Sequence, residues 1–152
     1  MIASRTPAQL YALTIGIVLT AAGLVGFLYS SAFGSPGKTT AVLGLLDVNG
    51  WHNLVHLASG VLGLLVASRP RASRTYAGAF GLTYLLVGIW GITLGSSGAI
   101  LSFLPVNFAD DVLHLVIALW GVFAYVASKD RGVVRDRLGG SGKHPVGYEI
   151  SR

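Results

Sequence analysis

Three histidines and two aspartates interrupt otherwise apolar sequence and could carry chemistry. His52 and His56 are four residues apart, and Asn53 precedes His56 by three. On a helix such side chains share a face. Asp110 and Asp111 precede His114 by four and three residues. An ionisable group inside a membrane span is a functional candidate by default, because hydrocarbon penalises it. The first reading is a polar cluster of Asn49, Asn53, His56, Asn107, Asp111 and His114 that joins two helices. His56 would donate to Asp111, His114 would accept from Asn53, and Asp110 and Asp111 would cap the helix that follows. The second is a divalent metal held by His52, His56 and His114 with Asp110 or Asp111, a nitrogen and oxygen set suited to zinc. The His-Asn-Leu-Val-His stretch has no glutamate after its first histidine, so it is not the metalloprotease motif. The third is haem, with His56 and His114 as axial ligands. Lys38 would then be the one cation on that side for the propionates. The fourth is proton or quinone chemistry, for which the spans supply no onward ionisable path. The leading expectation is a non-enzymatic structural or partner-binding protein with no catalytic residue and no cofactor. Its main rival is a haem or metal protein using His56 and His114, with Asp111 and Asn53 as supporting groups.

These residues need membrane helices to position them. The chain has 152 residues, of which 53% are hydrophobic and 11% charged. Soluble domains carry about 25% charged residues. Residues 10–29 and 75–109 contain no Asp, Glu, Lys, Arg or His. About 20 apolar residues cross the hydrocarbon layer. The expected fold is all-α, an integral membrane four-helix bundle over residues 1–128, with spans at about 9–31, 50–68, 75–95 and 109–128. His56 and His114 then lie about 7–10 Å inside the outer interface. Residues 129–152 form a basic tail, rich in glycine around Gly139, with too few apolar residues to fold alone. His144 falls in that tail. There is no cysteine, which removes disulfides and thiolate chemistry.

The bundle reads as two tandem copies of a helical hairpin. Val48, Asn49, His56, Leu57 and Gly63 recur at an offset of 58 as Val106, Asn107, His114, Leu115 and Gly121. Tyr11, Ala12, Gly16, Gly23, Gly26 and Ser31 recur at an offset of 65 as Tyr76, Ala77, Gly81, Gly88, Gly91 and Ser96. Gly16, Gly23 and Gly26 share one helix face, as do Gly81, Gly88 and Gly91. Close helix approach is the first explanation of those faces, since small residues let backbones touch in lipid. Room for a flat cofactor or a lipid is the second.

Ten of the eleven Lys and Arg residues fall before span one, between spans two and three, or after span four. Positive segments stay cytoplasmic, so both termini are expected there, in a bacterial plasma membrane. Span one is longer than a secretory signal and matches span three, so it is read as a retained span. The net charge of +5 belongs to topology rather than to nucleic acid. The expected partners are the bilayer and a membrane protein or a second copy of the chain. Trp51 suits an interfacial belt, whereas Trp90 and Trp120 are expected in the core.

The Asn49-x-x-x-Asn53-x-x-His56-x-x-x-Gly60 stretch, the Asp111-x-x-His114 stretch and the four spans resemble the small actinobacterial membrane proteins grouped as domain of unknown function 4383. The resemblance covers about residues 8–128. It implies the fold and the location, and no activity.

Overall fold

The computed structural model describes residues 5–34, 40–95 and 98–128. The expected tail, Lys38, Ser96 and His144 lie outside the described residues. Among the described residues the protein is mostly helical, with helices α1 (Pro7–Tyr29), α2 (Gly50–Val66), α3 (Pro70–Leu94) and α4 (Phe108–Ala127). Two short antiparallel hairpins join them. Strands β1 (Thr40–Val42) and β2 (Leu46–Val48) link α1 to α2, and β3 (Gly98–Ile100) and β4 (Leu104–Val106) link α3 to α4.

Local chemistry explains each helix end. Thr6 caps α1 in a reciprocal box: its hydroxyl accepts from the Gln9 amide at 3.2 Å, and the Gln9 side chain accepts from the Thr6 amide at 3.1 Å. Pro7 and Pro70 each stand at the first helical position, where the missing N–H costs nothing. Pro70 therefore begins α3, five residues ahead of the expected span, and Arg71 and Arg74 ride on its first turns. Long basic side chains permit this by reaching back toward water. Asn49 and Asn107 cap α2 and α4. The hairpin turns place Leu43 and Gly44, and likewise Leu101 and Ser102, at positive φ. A tight turn between short antiparallel strands demands such angles.

Three helices, α1, α3 and α4, are long and apolar enough to cross a membrane. The 17 residues of α2 rise about 26 Å, at the lower limit for a span. The pairs α1–α2 and α3–α4 make the most extensive packing. Between the pairs, Tyr11, Ala12 and Ile15 of α1 form a buried core with Tyr76 and Ala77 of α3 and with Ile117 and Ala118 of α4. At one end of the bundle Ala8 donates to the Ser128 hydroxyl, the Gln9 side chain to the Ala67 carbonyl, and the Ser73 hydroxyl to the Val66 carbonyl. Arg74 donates to the Tyr125 carbonyl and stacks its guanidinium over that ring at 4.2 Å. Trp90 and Trp120 are not core residues. They are 43% and 37% exposed, because their positions on α3 and α4 turn them outward. Trp120 still meets the Tyr11 ring edge-on, with centroids 5.6 Å apart.

The glycine faces lie against the partner helix of each pair. A Cβ added at Gly16 would stand 2.9 Å from the Leu64 nitrogen, and one at Gly23 would stand 2.7 Å from the Leu57 nitrogen. At Gly81 the Val122 nitrogen is 2.9 Å away, and at Gly88 the Leu115 side chain is 3.0 Å away. Gly26 and Gly91 leave the notches that receive the side chains of Asn53 and Asp111. The partner helix occupies these faces, with backbone nearest at Gly16, Gly23 and Gly81 and side chains nearest at Gly26, Gly88 and Gly91. Alanine in a helix is better than glycine by about 1 kcal/mol when nothing obstructs it. At Gly23 the obstruction is backbone and cannot rotate away. Gly23→Ala is therefore expected to destabilise the protein by about 1–3 kcal/mol, the cost typical of overpacking. Gly34→Ala, with open space around it, is expected to change stability little. Denaturant unfolding of both variants in detergent checks this, and equal stability would show that the helices can part without cost.

Candidate functional site

The two N-cap asparagines organise the hairpin end of the bundle. Asn49 Oδ1 accepts from the His52 amide at 2.9 Å, and Asn49 Nδ2 donates across the molecule to the Phe103 carbonyl at 2.6 Å. Asn107 Oδ1 accepts from the amides of Ala109 and Asp110, and its Nδ2 donates back to the Leu45 carbonyl at 2.9 Å. Each cap thus ties its own helix to the hairpin of the other pair. Asp110 completes the arrangement. One of its oxygens accepts from the Asn107 amide at 3.1 Å and from the Asp47 amide at 3.0 Å.

This geometry holds three imidazoles together. His52 and His56 approach through their Nε2 atoms at 3.2 Å. His114 arrives from α4, with ring centroids 6.2 Å from His52 and 6.4 Å from His56. One ligand-capable nitrogen from each ring lies within 4.8 Å of the others. His52 and His114 are only 4% and 5% exposed, and His56 is half-buried. The Nδ1 atoms of His52 and His114 are buried without a hydrogen bond of ordinary geometry to the described residues. The backbones of Asp47 and Pro105 lie beside the His52 ring.

The carboxylates and Asn53 go elsewhere. Asp110 is occupied by backbone amides. Asp111, 1% exposed, fits the notch at Gly91, and its Oδ1 has no partner among the described residues. Asn53 fits the notch at Gly26 and donates to the Ser30 carbonyl at 2.8 Å. The expected pairs, His56 with Asp111 and His114 with Asn53, are not made. At 100° per residue Asn53 points about 60° away from His56. That turn directs it into the α1–α2 seam while the histidines face the space between the pairs.

A cavity of about 90 Å³ opens beside the histidines, between α2, α3 and the β3–β4 hairpin. Its other walls include Val55, Thr83, Tyr84, Val87, Ile100 and Leu104. The Tyr84 ring is tilted over His114 with centroids 5.3 Å apart. Sequence reasoning did not find this wall. The signal available for it is the spacing of Tyr76, Phe80 and Tyr84 at intervals of four, which lines one face of α3 with aromatics.

The caps generate a graded prediction. Asn49→Ser retains a capping oxygen but cannot reach the Phe103 carbonyl. Asn49→Ala loses both contacts. The serine variant is expected to lose about 1–3 kcal/mol for the abandoned carbonyl, and the alanine variant about 1 kcal/mol more for the cap. Equal stability of the two variants in denaturant unfolding would remove the cap from the account.

Residues 9–127 match the family described as Domain of unknown function (DUF4383), and the chain belongs to that family. No functionally curated protein and no solved structure matches it.

Proposed function

We propose that this member of the family is a multi-pass membrane protein that binds one transition-metal ion through His52, His56 and His114. The observation that carries the reading is the convergence of the three imidazoles from two helices. Zinc–imidazole bonds of about 2.0–2.1 Å in a tetrahedral site put the nitrogens about 3.3 Å apart. The His52–His56 separation of 3.2 Å already suits that, and ring rotation of His114 would close the rest. The buried Nδ1 of His114 has no hydrogen bond among the described residues, and such a nitrogen is costly unless a proton partner or a metal takes it. Imidazole-only sets suit zinc, copper, nickel and iron. A ligating histidine usually directs its other nitrogen to backbone or carboxylate, and the Asp47 and Pro105 backbones suit that role for His52.

The structural role expected of the polar cluster falls in this reading to Asn49, Asn107 and Asp110, leaving the histidines for the ion. Asp110 and Asp111 are not proposed as ligands. Haem is not proposed either. A cavity of about 150 Å³ holds one benzene ring, and the space of about 90 Å³ here is far smaller than a porphyrin needs. No catalytic activity is proposed.

The same reading takes all four helices as spans, in two tandem copies of one hairpin. Its support is the reciprocity of the caps: Asn49 and Asn107 are related by an offset of 58, and so are their acceptors Leu45 and Phe103. The strand registers Thr40↔Val48 and Gly98↔Val106 obey the same offset. Arg5, Arg69, Arg71 and Arg74 belong to the end away from the hairpins, which supports cytoplasmic termini in a bacterial plasma membrane.

Equilibrium dialysis of the detergent-solubilised chain against Zn²⁺ tests the site. One ion per chain is expected. His56→Gln and His114→Gln should still fold, because glutamine retains a hydrogen-bonding side chain. Each should weaken binding by at least about 100-fold, beyond the 10–100-fold typical of a group that only orients a ligand. Uptake should also fall as pH falls, because protons compete for the ring nitrogens. No uptake, or uptake indifferent to these replacements, would overturn the reading.

A further inference from the structure

We infer that the fourth coordination position of the histidine site faces the cavity between α2, α3 and the β3–β4 hairpin and takes a small exogenous monoanion, of the hydroxide, halide or pseudohalide class. The inference rests on the metal reading above. Three observations carry it.

The first is charge. Three neutral imidazoles leave a bound dication uncompensated, and an uncompensated buried charge is strongly unfavourable. No carboxylate joins the three imidazoles as a ligand, although the Asp47 charge acts on His52 through space. Asp110 is held by the amides of Asp47 and Asn107, and Asp111 is seated in the Gly91 notch of the α3–α4 seam. A ligand that brings negative charge directly onto the ion therefore comes from outside the chain.

The second is the number of ligands. Three protein nitrogens on a tetrahedral ion leave one position open, as in zinc sites that bind a water or a substrate. All three histidines line one side of the cavity, and Thr83, Tyr84 and Val87 of α3 stand among the remaining lining residues. A ligand in the open position would occupy this space, which the three rings share as lining.

The third is size and polarity. A water requires about 10–15 Å³ of such space, so about 90 Å³ has room for an anion of a few heavy atoms. The walls are chiefly apolar side chains, including Val55, Val87, Ile100 and Leu104. Such walls offer an anion no competing cation, so the metal is its partner. They also favour weakly hydrated anions, which lose less on leaving water.

The test uses the full chain in detergent, loaded with Co²⁺, and azide as the probe. Cobalt in place of zinc gives visible ligand-field bands that report its coordination. A saturable change in those bands at one azide per cobalt is expected for the unmodified chain. Val87→Phe fills the cavity from α3 and should retain cobalt while weakening azide binding at least tenfold. Val55→Phe does the same from α2, where the side chain is already 44% exposed and a larger group is tolerated. Val61→Phe, on α2 but outside the cavity, should leave the azide response unchanged. Histidine-dependent cobalt binding with no azide response overturns this inference and leaves the metal reading standing. An azide response untouched by both cavity-filling variants also overturns it, since the anion then binds elsewhere. Absence of cobalt uptake overturns the inference together with the metal reading.

Discussion

Asn49 and Asn107 each satisfy two obligations at once. The side-chain oxygen accepts from an amide at the start of its own helix, and the side-chain nitrogen donates to a carbonyl in the opposite hairpin. A buried backbone group left without a partner is costly, so the helix starts and the hairpin carbonyls beside them are stabilised when the protein itself completes them. The two hairpin turns, with Leu43 and Leu101 at positive φ, therefore depend on the asparagines as much as the helices do. The direction of α2 and α4 follows from this exchange, and with it the place where their side chains meet.

The glycine seams act on the same geometry from within each pair. Gly23 brings α1 against the Leu57 backbone, and Gly88 brings α3 against Leu115. Close approach turns a narrow set of side chains toward the space between the pairs. Asn53 and Asp111 are drawn into the notches at Gly26 and Gly91, while His52, His56 and His114 stay outside the seams. The polar residues of this region thus separate into groups that complete the backbone or fill a notch and groups with nitrogens left over. The second group is the candidate site. Its position is asymmetric, since His52 stands where the other pair has Asp110, and Asp110 is committed to the cap of α4.

The wall opposite the histidines comes from α3. Tyr84 and Val87 reach the cavity because α3 packs on α4 and touches α2 only lightly. A tighter α2–α3 contact would leave no cavity. A looser one would expose the rings of His52 and His114, which are buried. The site is therefore a property of the gap between pairs and not of any one helix.

Much of the fold was legible in the residues alone. Long uncharged runs announced α1 and α3, and the spacing of Gly16, Gly23 and Gly26 announced a close seam. Both signals are local: hydropathy and the 100° turn per residue need no knowledge of neighbours. The two hairpins were not legible, because three-residue strands are too short for an alternating pattern to register. The site was legible in part. His52, His56 and His114 were candidates from their types and spacing, but their partners were not readable. Spacing along a helix states which side chains share a face and leaves open what stands opposite. That was decided in three dimensions, where the Gly26 and Gly91 notches took Asn53 and Asp111, the caps took Asp110, and three imidazoles were left facing one another.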